Sequence, residues 1–159
     1  MTTASAPAPA DSAPAPVHHV LYCTDFSENA DRAFPYALRA ATRNPGATLH
    51  LLHVIPEPSA QFWKGYIYDL DEDVDAMARR EIDQKLADAY RPRLPDDLPF
   101  VTAMRIGEAA QKILEYAAEA HIDLIVIGRQ GAGAGTRLLF GNITGRVTRR
   151  APCPVLVVP

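Results

Sequence analysis

The residues with the clearest capacity for chemistry lie between Gly128 and Asn142. Gly128-Arg129-Gln130-Gly131 follows an aliphatic run. Gly133 and Gly135 come next, and Gly141-Asn142 precede a helical pattern. Glycine admits backbone conformations closed to other residues and lets backbone N–H groups approach an anion. A helix start adds N–H groups with no partner inside the helix and a partial positive charge. A loop so built can hold a polyphosphate at both ends. The same glycines also suit tight turns and close helix–sheet packing. Two common phosphate loops are excluded. There is no Gly-Lys-Ser/Thr, so this is not a P-loop, and no G-x-G-x-x-G follows the first strand. Arg129 and Arg137 could meet phosphate as forked donors or lie as solvated charges.

Other candidate groups point to packing rather than chemistry. His50 and His53 stand three apart on a strand, so they face opposite ways and cannot chelate one ion. His18 and His19 are adjacent at a tail junction. Asp69, Asp71, Glu72, Asp73 and Asp75 read as a solvated helix start, and Phe62, Trp63, Tyr66 and Tyr68 as cover for a core edge. Cys23, two residues before Asp25, has no neighbour in sequence that would lower its pKa. No Ser-His-Asp or Cys-His arrangement stands out, and no general base can be named.

The elements that must position the loop alternate strand and helix. Val20 to Thr24 is a short apolar strand. Ser27 is placed to cap a helix whose inward face is Ala30, Ala33, Phe34, Ala37, Leu38 and Ala41, with Pro35 inside it. Thr48 to Ile55 is a second strand. Asp71 to Tyr90 reads as a helix with Val74, Ala78, Ile82, Leu86 and Ala89 inward and an acidic first turn. Phe100 to Ile106 is a third strand. Gly107 opens a helix carrying Ala110, Ile113, Leu114 and Ala117. Leu124 to Ile127 is a fourth strand, a last helix starts near Asn142, and Val155 to Val158 is a fifth strand. Aliphatic strands alternating with helices predict a parallel sheet covered on both faces. Ligands of such sheets bind beyond the carboxyl ends of the strands, where the strand order reverses.

Composition sets the bounds. The 159 residues suffice for one domain, 48% are hydrophobic, and the net charge of -3 asks for neither nucleic acid nor a basic partner. Residues 1–16 are Ala, Pro and Ser with one charge and are expected to be a disordered tail, leaving 17–159 as the folded domain. No stretch is long and apolar enough for a membrane span, and the N-terminus lacks signal-peptide character. The two cysteines, Cys23 and Cys153, read as reduced buried thiols of a cytoplasmic protein.

Gly128-x-x-Gly131, nine residues, then Gly141 and a small polar residue resembles the ATP-binding loop of the universal stress protein family. Four further segments fit the family in order. They are Tyr22-Cys23-Thr24-Asp25-Phe26-Ser27-Glu28, Leu52-His53-Val54, Gly107-Glu108-Ala109, and Ala151-Pro152-Cys153-Pro154-Val155-Leu156-Val157-Val158. The resemblance runs from about Val17 to the C-terminus. It implies an open, five-stranded Rossmann-like sheet of the adenine nucleotide α-hydrolase type, with the first and fourth strands side by side. It also implies a site in which Asp25 meets the sugar or base, with Thr24 beside it as a further binding candidate, and Val54 lies near adenine. Gly128, Gly131, Gly141 and Asn142 would hold ribose and phosphates, and Arg129 in the loop and Ile143 and Thr144 in the same turn are further binding candidates. Asn142 stands where the family usually has Ser or Thr. It is an equally good helix cap, and its amide can donate to phosphate; Thr144 offers a hydroxyl in the same turn. The function implied is ATP binding, with or without Mg or Mn, as a regulatory module with little or no hydrolysis, in a homodimer paired through the last strand. The alternative is a nucleotide-free dimeric adaptor of the same fold. An ATP-cleaving enzyme is disfavoured, because Thr24-Asp25-Phe26-Ser27 replaces the Ser-Gly-Gly loop such enzymes need.

Overall fold

A computed structural model of the chain describes residues 15–56, 74–129 and 141–159. The elements run β1 His19–Cys23, α1 Glu28–Arg43, β2 Thr48–Ile55, α2 Val74–Tyr90, a 3-10 turn Arg91–Arg93, β3 Phe100–Ile106, α3 Ala109–Glu119, β4 Leu124–Gly128, α4 Asn142–Arg150 and β5 Val155–Val158. The five strands form one sheet in the order β3-β2-β1-β4-β5, and every neighbouring pair is parallel. The chain winds outward from β1 to β3, crosses back to place β4 beside β1, and winds outward again to β5. The order therefore reverses between β1 and β4, which leaves a crevice beyond their carboxyl ends.

The period of two along β1 divides the core. Val20 and Tyr22 join one buried cluster with Phe34, Ala37 and Ala41 of α1 and Leu86 and Tyr90 of α2. Leu21 and Cys23 join the other, with Ala110, Ile113 and Ala117 of α3 and Val147 of α4. Helices thus cover both faces, as continuous aliphatic strands require.

The helix starts follow local chemistry. Ser27 caps α1 by accepting the Ala30 N–H at 3.2 Å, with Glu28 and Asp31 in the first turn and Arg43 in the last. Pro35 lies within α1 on its exposed side, and the helix continues through it. Its ring removes the N–H that would reach Asp31, whose exposed position leaves that carbonyl to water. Of the expected inward face of α2, Ile82 and Leu86 face the core, the side chains of Val74 and Ala78 lie outside the described residues, and one position needs correction. Ala89 is exposed, and Tyr90 fills the place instead, because the buried row advances by four from Ile82 to Leu86 to Tyr90. Gly107 stands before α3 rather than opening it; the helix begins at Ala109 with Glu108 as its cap.

Cys23 and Cys153 are both free thiols. Cys23 is level with Ile127 of β4, and β4 lies between β1 and the Cys153 turn that leads into β5. Two strand spacings amount to about 9.5 Å, beyond the roughly 7 Å that a disulfide spans. Among the described residues no helix is long and apolar enough to cross a membrane. Residues 1–14 of the tail, the aromatics Phe62, Trp63, Tyr66 and Tyr68, the acidic group Asp69 to Asp73 and the Asp75 side chain lie outside the described residues.

Candidate nucleotide site

One wall of the crevice is the turn that ends β1. The Thr24 N–H still reaches Leu52 C=O of β2 at 2.9 Å, so the strand geometry holds to that point. The chain then turns sharply. Phe26 adopts φ 61, left-handed backbone that is unfavourable for a bulky side chain. Two short bonds hold the turn: Phe26 N–H donates to Thr24 Oγ1 at 3.0 Å, and Ser27 N–H donates to Asp25 Oδ1 at 3.0 Å. The Phe26 ring is held against His53 at 4.8 Å and faces Tyr90 at 6.4 Å, with Lys85 Nζ 4.1 Å above it. His53 donates from Nδ1 to Thr24 C=O at 2.8 Å, because a carbonyl can only accept. Burial lowers the His53 pKa and favours this neutral form.

The opposite wall is the end of β4. A Cβ on Gly128 would lie 2.6 Å from the Asn29 carbonyl oxygen and 2.9 Å from its carbon. Only glycine lets β4 pass this closely beneath the first turn of α1, so close packing, the plainer reading of the glycines, holds at this position. Beyond it, Arg129 N–H donates to Val158 C=O at 2.7 Å and Gly141 N–H to Arg129 C=O at 3.0 Å. The glycine loop therefore leaves and returns at one point.

Between these walls lies a cleft. Thr24, Asp25, Val54, Gly128, Ile143 and Thr144 line it, and each belongs to the set picked from the sequence. Its deeper lining was not foreseen as site and is apolar: Leu52, Ala109, Ile113 and Ile127, with Cys23 and Ala30. Burial drives the Cys23 thiol far above its usual range, so it stays neutral and serves as apolar lining. The cleft is an apolar slot with Asp25 at its polar rim.

Four expectations about the loop change. Arg129 is exposed and absent from the lining; its backbone is what the fold uses. Gly141, not Asn142, is the N-cap of α4, with no side-chain cap bond. Asn142 is the first helical residue, exposed, and outside the lining with Gly141. Thr144 is buried and donates its hydroxyl proton to Gly128 C=O at 2.9 Å, so it ties α4 to β4 and has no proton left for a phosphate. Gly131 and Arg137 lie outside the described residues.

The histidine reading is sustained by positive contacts. His50 points to the α3 side, where Tyr116 OH lies 2.8 Å from Nδ1 and His19 Nδ1 lies 3.2 Å from Nε2, whereas His53 packs on the β1 turn. Among the described residues no group of three His, Cys, Asp or Glu is placed to hold a metal ion.

The chain matches the profile of the Universal stress protein family over residues 16–159. The chain belongs to the universal stress protein family. Universal stress protein YxiE of Bacillus subtilis is 27% identical over 145 residues, covering 87% of this chain and 97% of that protein. Among solved structures, universal stress protein UspA from Lactobacillus plantarum aligns with TM-score 0.70 and 28% identity over 91% of this chain and 99% of its own. A universal stress protein solved in complex with cAMP shares the fold, at TM-score 0.58 and 20% identity, over 91% of this chain and 98% of its own.

Two features of this universal stress protein's site escaped the sequence reading. Glu108 caps α3, accepting Ala110 and Gln111 N–H at 3.1 and 3.0 Å, and also pairs with Arg146 of α4 at 2.9 Å. It braces the two helices that flank the cleft. The signal was present, a carboxylate just before an apolar helical face, but was read only as part of a motif. The second is Tyr90, whose hydroxyl lies 2.7 Å from Thr24 Oγ1. Nothing in the local pattern of α2 announces that contact.

Proposed function

We propose that this universal stress protein binds an adenine nucleotide, ATP in the first instance, in the cleft between β1 and β4, and works as a regulatory module with little or no hydrolysis. The observation that carries the reading is that Asp25 and Gly128 border one cleft at the point where strand order reverses. The lining suits such a ligand: an apolar slot for a base beside Val54, and a carboxylate at its rim to accept from ribose hydroxyls. The first turn of α4 supplies N–H groups without partners inside the helix, suited to phosphate. Asn142, as the first helical residue, contributes its N–H and exposed amide, and Gly141 before it carries no side chain to block the anion. A bound nucleotide would bring its own phosphate charge and, with it, Mg or Mn. That the fold has been solved with cAMP elsewhere makes adenine nucleotides the first ligands to test.

The described lining supports the reading of little or no hydrolysis. Its titratable groups are Asp25, which accepts the Ser27 N–H, and the neutral Cys23. Neither is set to activate a water. Titration with ATP and ADP by calorimetry, after mass spectrometry of small molecules carried through purification, tests the reading. Saturable binding that is lost in Gly131→Val supports it; no binding with or without Mg or Mn overturns it.

One observation favours a second role alongside the first. β5 pairs with β4 alone among the described strands, and Leu156 on it is 38% exposed. An apolar edge strand is a template for a second copy of the chain, and we assign homodimer formation to it.

A further inference from the structure

We infer that Tyr90, from α2, is a positioning residue for the nucleotide site: its hydroxyl holds Thr24, and through Thr24 the turn that presents Asp25 to the cleft. The affinity part of this inference rests on the nucleotide reading above; the conformational part does not.

The available protons fix the direction of each bond. Tyr22 donates its O–H to Ala30 C=O at 2.8 Å. In its 3.1 Å contact with Tyr90 the Tyr22 oxygen must therefore accept, so Tyr90 donates. With that proton used, Tyr90 accepts at 2.7 Å from Thr24, which in turn accepts at 3.0 Å from the Phe26 N–H. The result is one directed chain: Phe26 N–H to Thr24 O–H to Tyr90 O–H to Tyr22 O–H to Ala30 C=O. Bonds aligned this way polarise and strengthen one another. All but one of its members come from residues 22–30, the end of β1 and the start of α1. Tyr90 alone comes from elsewhere, and its hydroxyl contacts those of both Tyr22 and Thr24.

The place where the chain begins is also the place the backbone resists. Phe26 is left-handed at φ 61 and next to Asp25, and Tyr90 faces its ring at 6.4 Å. Tyr90 thus holds the turn twice, through the hydroxyl to Thr24 and through the ring to Phe26. Tyr90 and Thr24 are both buried, so the bond between them is shielded from competing water.

Tyr90→Phe removes the hydroxyl and keeps the ring. Tyr116→Phe is the control, since it removes the hydroxyl of another buried tyrosine, bonded to His50 and away from the cleft lining. The first readout is amide exchange at Phe26 in the unliganded protein. Tyr90→Phe should speed it about fivefold, the worth of one net hydrogen bond, and Tyr116→Phe should leave it unchanged. Thr24→Ser, which retains the hydroxyl, should keep the protection. The second readout is ATP affinity. Tyr90→Phe should weaken it about fivefold in the natural background and not at all in a Thr24→Val background. Unchanged exchange at Phe26 in Tyr90→Phe, or equal acceleration in Tyr116→Phe, overturns the inference. If the natural protein and Tyr90→Phe bind ATP equally, Tyr90 has no role in the site and the nucleotide reading stands. If exchange responds but no variant binds ATP, the nucleotide reading falls and the positioning of the turn stands.

Discussion

Gly128 concentrates the problem of reading this protein residue by residue. Its position at the end of an aliphatic run marked it as a site residue. The structure gives it a second reason, the Asn29 carbonyl 2.6 Å from where a Cβ would stand. Gly128→Ala should therefore destabilise the fold by about 1–3 kcal/mol through overpacking, measured by urea unfolding; a neutral result would mean that α1 shifts at no cost. Asp25 was legible for the same reason as Gly128, since both stand where strands end in a parallel sheet. The side-chain directions of Arg129, Asn142 and Thr144 were not legible, because spacing does not say where a side chain points at a turn or in the first turn of a helix. Titration belongs to this scale too. Burial first, and the neighbouring His19 second, lower His50 from its ordinary 6.5 to about 4. As pH falls through 6.5 the unfolded chain takes up this proton and the folded chain does not. Stability is thus highest above 6.5 and declines toward pH 4, with His53 acting in the same direction. His50→Gln should flatten the dependence of the urea midpoint on pH within that window; an unchanged slope would show that His50 is not the group responsible.

At the scale of elements, the strands were the most legible feature. Thr48–Ile55, Phe100–Ile106 and Val155–Val158 lie where the sequence places them, because aliphatic runs bounded by proline or glycine leave little choice. Helix faces were less so. The α2 row ends on Tyr90 rather than Ala89, a shift of one residue that also hid the contact with Thr24. No pattern local to α2 could reveal a bond to a residue 66 positions away. The α3–α4 brace belongs here as well. Glu108→Ala removes both the cap of α3 and the bond to Arg146, and should cost about 1 kcal/mol, most of it the cap, because the exposed ion pair contributes little. Glu108→Gln keeps an acceptor for the cap and should recover most of that loss. Thermal unfolding of the two variants decides it; equal losses would assign the effect to the ion pair instead.

For the whole molecule, the winding of the chain makes the site. Strand order β3-β2-β1-β4-β5 places the β1 turn and the β4 end, distant in sequence, on either side of one crevice. The same winding leaves β5 at an edge with Leu156 exposed. Val157→Pro should prevent backbone pairing there and yield monomers in sizing experiments; a dimer that persists would place the contact elsewhere. The central claim, that the β1–β4 crevice is a nucleotide site with Asp25 at its rim, meets its most direct test in an ATP titration of the natural protein beside Asp25→Ala. The account predicts saturable binding that weakens about tenfold on loss of a charge-assisted hydrogen bond. Equal affinity in the two proteins would contradict it.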